Sequence, residues 1–136
     1  MNKDDNSGSQ KIALKNHNSK RYTISDIHNS QFIKVHKFLL QDPFRSVLSN
    51  DSILLYGYLS DINELSIKNK WIDEKNNVYI KCTRDNMGNF LNAGKTRTLN
   101  AVRELTESGL MEEEREGLGK PNKIYLMKLN DNFIEK

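Results

Sequence analysis

A run of hydrogen-bonding side chains between positions 95 and 103 has the most readily assigned chemistry in this 136-residue sequence. It opens with Lys95-Thr96-Arg97-Thr98 and continues through Asn100 and Arg103, with no acidic residue among them. An arginine can bond guanine O6 and N7, an asparagine can bond adenine N6 and N7, and a threonine can bond a phosphate or touch a thymine methyl. These residue types predict contact with the bases and phosphates of DNA.

The segment from 83 to 129 predicts the elements that would position these side chains. Thr83 is placed to cap a first helix over Arg84–Leu91, and Ala93-Gly94 makes a turn in which the glycine can take a positive φ. A second helix then runs to a stop signal at Ser108-Gly109. Two strand patterns follow, Leu110–Glu116 and Lys123–Leu129, and a loop containing glycine and proline joins them. The order helix, turn, helix, hairpin predicts a winged helix-turn-helix.

The second predicted helix has two chemically different faces. At 100° per residue, one face carries its apolar stripe, which consists of Leu99, Val102 and Leu105 together with Thr106. The opposite face is polar and holds Thr96, Arg97, Asn100, Arg103 and Glu104. An ordinary solvated helix also presents such a face, but the basic, glycine-rich hairpin that follows favours DNA contact. Arg97 and Asn100 are the expected base readers.

The predicted wing and the N-terminal segment add further candidate DNA contacts. Backbone at a glycine can approach a phosphate closely because no Cβ intervenes, and the residues at and near the tip are Arg115, Gly119, Lys120, Asn122 and Lys123. Thr83 and Arg84 lie at a predicted helix N-terminus, which favours anions. Lys20 and Arg21 end an acid-free basic stretch that fits a groove-binding arm and a solvated tail equally well.

Composition divides the chain into an arm and a domain. Residues 1–24 are predicted to form a disordered or mobile basic arm, and residues 25–132 the winged helix-turn-helix DNA-binding domain. The formal net charge is +3, and residues 25–136 hold 16 of the 21 basic and 16 of the 18 acidic residues. The excess positive charge therefore lies in the arm, and the basic character of the second helix is local.

The rest of the domain predicts an α+β fold. A long core helix is expected over 51–68, capped by Ser49 or Asn50, and short strands at 71–72 and 78–82 are expected to form a hairpin. Before them, the alternation in 31–35 indicates a strand, and 38–48 suggests short helical turns broken at a proline. The prediction is a winged helix-turn-helix with an additional N-terminal strand/helix segment and β-hairpin.

Several classes of protein are disfavoured. The single cysteine, Cys82, excludes a disulfide framework, and neither a transmembrane run nor a signal peptide is visible. Gly94-Lys95-Thr96 resembles the end of a phosphate-binding loop, but Asn89 stands where that loop needs glycine. The three histidines have no partner at metal-ligand spacing. We expect a cytoplasmic, non-enzymatic protein without cofactor, metal or membrane association.

Four longer motifs resemble one family: FIKVHKFLL at 32–40, LSNDSILLYGYL at 48–59, WIDEKNNVYI at 71–80 and GLMEEEREGLGKPNKIYL at 109–126. The stretch from about 31 to 129 resembles the N-terminal domain of the RepA-type plasmid replication initiators of Gram-positive bacteria, in particular those of staphylococcal multiresistance plasmids. This resemblance implies binding to direct repeats, or iterons, in a plasmid origin. It also implies a C-terminal domain that would contact host replication proteins and that we expect to be absent from this chain.

Other functions fit the same pattern. A winged helix can serve a transcriptional repressor, or it can bind a basic protein through an acidic strand and never touch DNA. Repeated sites would also suit a homodimer, with 31–35 and 38–48 as candidate contacts. The same two segments fit equally well as parts of the protein's own core.

Overall fold

The computed structural model describes residues 19–28 and 31–129, and the chain divides into two compact units, 1–32 and 33–136. In the first unit a short 3₁₀ helix spans Ile24–His28, and Asp26 accepts a 2.8 Å hydrogen bond from the Thr23 N–H before it. Most of the predicted basic arm, residues 1–18, lies outside the described residues.

The second unit begins with short helical turns that lead to a long helix. A 3₁₀ turn at Lys37–Leu40 and a one-turn helix α1 at Phe44–Val47 precede helix α2 at Asn50–Asn63. Ser49 caps α2, since its Oγ accepts a 3.3 Å hydrogen bond from the N–H of Ser52. Helix α2 ends earlier than predicted because residues 64–70 continue as turns rather than as helix.

The helix pair forms where the sequence predicts it, but its turn uses a different residue. Helix α3 spans Arg84–Leu91 and helix α4 spans Lys95–Glu107, and Thr83 caps α3 by accepting a 3.1 Å bond from a backbone N–H. The positive φ lies at Asn92 (+52°), whereas Gly94 has a φ of −74° and is the N-cap of α4. The prediction for Gly94 was wrong because the chain reverses immediately at the end of α3, where asparagine tolerates the left-handed conformation.

The wing is a two-stranded antiparallel sheet of β1, Met111–Glu114, and β2, Lys123–Leu126. Both strands are shorter than predicted. Ile80 exchanges backbone hydrogen bonds of 2.8 and 2.9 Å with Ile124 of β2, so the segment before α3 adds a bridge to the wing. The predicted strands at 71–72 and 78–82 are present only as isolated bridges, and 31–35 forms no strand.

The core lies where α2 packs against α3, α4 and β2. Its fully buried members come from every helix and strand of the second unit except α1, and from the segment before α3; they include Leu39, Leu55, Leu59, Ile80, Met87, Leu105, Met111 and Ile124. The hydroxyl of Tyr56 donates a 2.7 Å hydrogen bond to the Met127 carbonyl, and burial raises the pKa of this tyrosine to about 12. Among the described helices none is both long and apolar enough to cross a bilayer.

Candidate nucleic-acid interface

Helix α4 buries a different stripe from the one its sequence predicts. The buried residues are Thr98, Ala101, Val102 and Leu105. Leu99, predicted to lie in the core, is 44% exposed. It follows Thr96 by three residues and precedes Arg103 by four, so these three side chains share the solvent-facing side of the helix. That face therefore combines hydrogen-bonding groups with one apolar side chain.

Thr98 does not belong to this exposed face. Its side chain is only 3% exposed, and its Oγ1 donates a 2.9 Å hydrogen bond to the Gly94 carbonyl one turn earlier. A threonine can be buried in this way because the helix itself satisfies its hydroxyl. The expectation that Thr98 contacts DNA was wrong for this physical reason.

Arg97 is exposed but already paired. Its Nε donates to Oδ2 of Asp51 at 3.0 Å, and its Nη2 donates to Oδ1 at 2.9 Å. These hydrogen bonds, together with the charge of the carboxylate, raise the pKa of the guanidinium. The pairing brings the first turn of α2 alongside the first turn of α4.

Glu104 provides a second connection between the same two helices. Its Oε1 accepts hydrogen bonds from the Ser49 N–H at 2.7 Å and from the Ser52 hydroxyl at 2.8 Å. Desolvation acts to raise the pKa of Glu104, but the hydrogen bonds from these serines, together with the positive charge of Arg103, outweigh it and leave the pKa lowered. Glu104 therefore faces α2 and is not part of a freely solvated polar face.

A groove between α3 and α4 extends the surface. Its lining includes Arg84, Lys95 and Leu99. The two helices approach closely at Gly88, where a Cβ would lie 3.1 Å from both the Ala93 carbonyl oxygen and the Thr98 hydroxyl. Helix α4 has no side-chain N-cap, so backbone N–H groups of its first turn remain available beside Lys95. A helix start of this kind attracts anions.

Acidic residues of β1 and of the loop after it contact several of the residues that were predicted to bind DNA. Glu113 accepts hydrogen bonds from the Arg84 guanidinium and from the Asn122 amide. Glu116 lies 3.7 Å from the Lys123 ammonium, which also sits 4.8 Å above the centre of the Tyr79 ring. Arg84, Asn122 and Lys123 are thus held at the base of the wing.

The wing tip is the more accessible part. Arg115, Gly119 and Lys120 are exposed, and the side chains of Arg115 and Lys120 form no ion pair within residues 31–129. Positive φ angles at Gly117 (+130°) and Gly119 (+76°) shape the loop between Arg115 and Lys120. The tip therefore presents two unpaired cations.

The remaining candidates of the sequence belong to the other unit or have a structural role. Lys20 and Arg21 belong to the first unit and are exposed there. Thr83 is exposed but uses its hydroxyl to cap α3. Cys82 is buried, which raises the pKa of its thiol, and the described residues contain no cluster of three potential metal ligands.

Sequence reasoning missed two members of the site. Leu99 was assigned to the core, although its spacing from Thr96 and Arg103 already places it on their face. Asp51 was read only as a residue at the start of a helix. Nothing local signals its pairing with Arg97, because the two residues are 46 positions apart.

Residues 31–135 match the family model described as the N-terminus of replication initiator protein A (RepA). A 41 kDa protein of Lactobacillus helveticus is 32% identical over 114 residues, which are 79% of this chain. The chain spans only about a third (32%) of that protein's length.

Three solved structures share the fold. One is described as the N-terminal domain of a DNA-binding protein, with a TM-score of 0.67 and 32% identity over 81% of this chain and 84% of that chain. Another, a Rep–DNA complex, has the same TM-score and identity over 80% and 84%. A third, an MDR initiator, has a TM-score of 0.65 and 30% identity over 83% and 91%. The predicted winged helix-turn-helix is confirmed, and the chain belongs to the family of RepA N-terminal domains of replication initiator proteins.

Proposed function

We propose that this domain binds double-stranded DNA at repeated sites of a plasmid replication origin and so contributes to the initiation of plasmid replication. The observation that carries the proposal is the exposed face of α4. It aligns Thr96, Leu99 and Arg103, with Asn100 and Arg97 at its side. These groups can read guanine, adenine and thymine in a major groove, which is wide enough for a helix. Family membership and the solved Rep–DNA complex of a relative support the same function.

In this proposal the wing and the helix starts hold the DNA backbone. Lys95 and the free N–H groups at the start of α4 would bind one phosphate, and Arg115 and Lys120 would bind phosphates or the adjacent minor groove. Gly119 would let the loop approach the duplex. Thr83 and Arg84 at the start of α3, and Asn122 and Lys123 at the wing base, would contribute only where DNA displaces or shares their present partners. Lys20 and Arg21 would add a sequence-independent contact from the arm.

Selection from a randomised duplex library would test the proposal. The wild-type chain should select a defined sequence, and Arg97→Ala should lose about 1–3 kcal/mol of preference at one base pair. In a matched selection, a chain without residues 1–24 should bind all duplexes more weakly but select the same sequence. Failure of the wild-type chain to select any sequence would refute the proposal.

Footprinting would separate origin binding from promoter repression. Protection of repeats within an origin is expected, whereas protection of promoter elements alone would favour a repressor. Binding to a basic protein instead of DNA has one observation in its favour, since Glu112 and Glu114 are exposed beside the acidic loop at 73–74. Steeply salt-dependent DNA binding would contradict that alternative.

A homodimer on paired repeats is part of the proposal. Leu39 and Leu48 are buried in the protein's own core, but Val35, Leu40 and Val47 of the same region are exposed. Sedimentation with a two-repeat duplex should give a dimer, and only monomers there would remove this part. The proposed setting is the bacterial cytoplasm, with host replication proteins as partners of a further domain and without any cofactor or catalytic step.

A further inference from the structure

Asp51 has no predicted role in DNA binding, yet it holds the side chain of the expected guanine reader. The bidentate pairing uses Nε and one Nη2 hydrogen of Arg97, at 3.0 and 2.9 Å. A guanidinium has five N–H donors in a rigid planar fork, so this pairing leaves the opposite edge, with Nη1, unoccupied. The arginine side chain is 59% exposed and the aspartate only 25% exposed. The free edge is therefore the part of the pair that a ligand can reach.

The carboxylate that holds Arg97 is itself firmly placed. Asp51 lies in the first turn of α2, where the helix dipole favours a negative charge. Glu104 fastens the same turn to α4 through Ser49 and Ser52. Asp51 therefore contacts α4 at Arg97, and Glu104, two turns further along α4, contacts the same end of α2. These contacts orient the Arg97 side chain in the free protein, before DNA binds.

We propose that Asp51 is a positioning residue, which directs the free edge of Arg97 towards a guanine and so sets the base preference at one position of the DNA site. The inference rests on the proposed function. An arginine without this restraint could turn to the nearest phosphate, a contact that carries no sequence information. Asp51 opposes that alternative because its charge repels phosphate, and it reduces the rotamer entropy that Arg97 would lose on binding.

Library selection with five variants tests this role. Asp51→Asn should lower the guanine preference at one base pair at least about fivefold, the lower end of a bidentate contact. Arg97→Lys, which keeps the charge but lacks the fork, should lower the same preference. Asp85→Asn is the matched control, since it removes an exposed carboxylate from the first turn of α3. It should leave that preference intact. In the Arg97→Ala background, Asp51→Asn should have no further effect on it.

The outcomes separate this inference from the function it builds on. If Asp51→Asn keeps the wild-type profile while Arg97→Ala loses the guanine, Asp51 has no positioning role. If Asp51→Asn strengthens binding to every duplex with an unchanged profile, the carboxylate only competes with DNA, and the inference is overturned. If Asp51→Asn does not fold, Asp51→Ser takes its place, since it keeps a short polar side chain at the start of α2 but removes the carboxylate, and an unchanged profile for it overturns the inference. A wild-type chain that selects no sequence overturns the proposed function, and this inference with it.

Discussion

Truncating two leucines of the same helix to alanine should cost very different amounts of stability, and the smaller loss should be the one accompanied by weaker DNA binding. Leu105 is fully buried, so Leu105→Ala removes its transfer free energy and leaves a cavity, at a cost of about 3 kcal/mol. Leu99 is 44% exposed and borders solvent, so Leu99→Ala forfeits roughly half of a leucine's burial, about 1 kcal/mol, and leaves no enclosed cavity. Helix propensity cancels because the substitution is the same in both.

Urea unfolding followed by circular dichroism measures the difference. With a slope of about 2 kcal/mol/M, the midpoint should fall by about 1.5 M for Leu105→Ala and about 0.5 M for Leu99→Ala. Binding of the selected duplex should weaken about fourfold for Leu99→Ala, as for one lost methyl contact of about 0.8 kcal/mol. Equal losses of stability in the two variants would place Leu99 in the core and refute its assignment to the exposed face.

Three further predictions concern single side chains. Gly57→Ala should destabilise the fold by about 1–3 kcal/mol in the same urea assay, because its Cβ would lie 2.6 Å from the Lys34 carbonyl oxygen; unchanged stability would contradict that contact. Because the folded pKa of Glu104 is lowered, its contribution to stability is complete above about pH 4.5 and is lost as the pH falls through the folded value. The stability gap between wild type and Glu104→Gln should therefore narrow from pH 7 to pH 3, and a constant gap would argue against these hydrogen bonds. Lys120→Ala should weaken binding to all duplexes alike and reduce the salt slope by about one, whereas an altered base preference would disprove a phosphate contact.

Features decided within a few residues could be predicted from the sequence. The cap at Thr83 was identified, and the cap of α2 was narrowed to Ser49 or Asn50, because a short polar side chain before a helical pattern can accept a hydrogen bond from the backbone N–H three residues on. The positions of α3, α4 and the wing followed from periodicity and glycine placement. Strand lengths were overestimated because pairing ends where the partner strand does, and that limit is not encoded locally.

Features decided by packing could not be predicted in this way. The phase of α4 was misjudged because Thr98 satisfies its hydroxyl within the helix and can replace an apolar residue in the core. The sequence also did not show which cationic side chains are paired with carboxylates. Arg97 and Arg84 meet their carboxylates across 46 and 29 positions, and only the folded chain brings them together. Composition showed that acids and bases balance in the body but not which ones pair.

The bridge between Ile80 and Ile124 ties the wing directly to the segment that precedes α3. Ile124 of the wing is hydrogen-bonded to Ile80, and α3 begins after its cap at Thr83. Only Lys81 and Cys82 therefore lie between this contact with the wing and the start of the helix pair. Two residues span at most about 7 Å, so the wing cannot move far from the start of α3. In the proposed complex with DNA, this short connection would keep the backbone contacts of the wing at a nearly constant distance from the base contacts of α4.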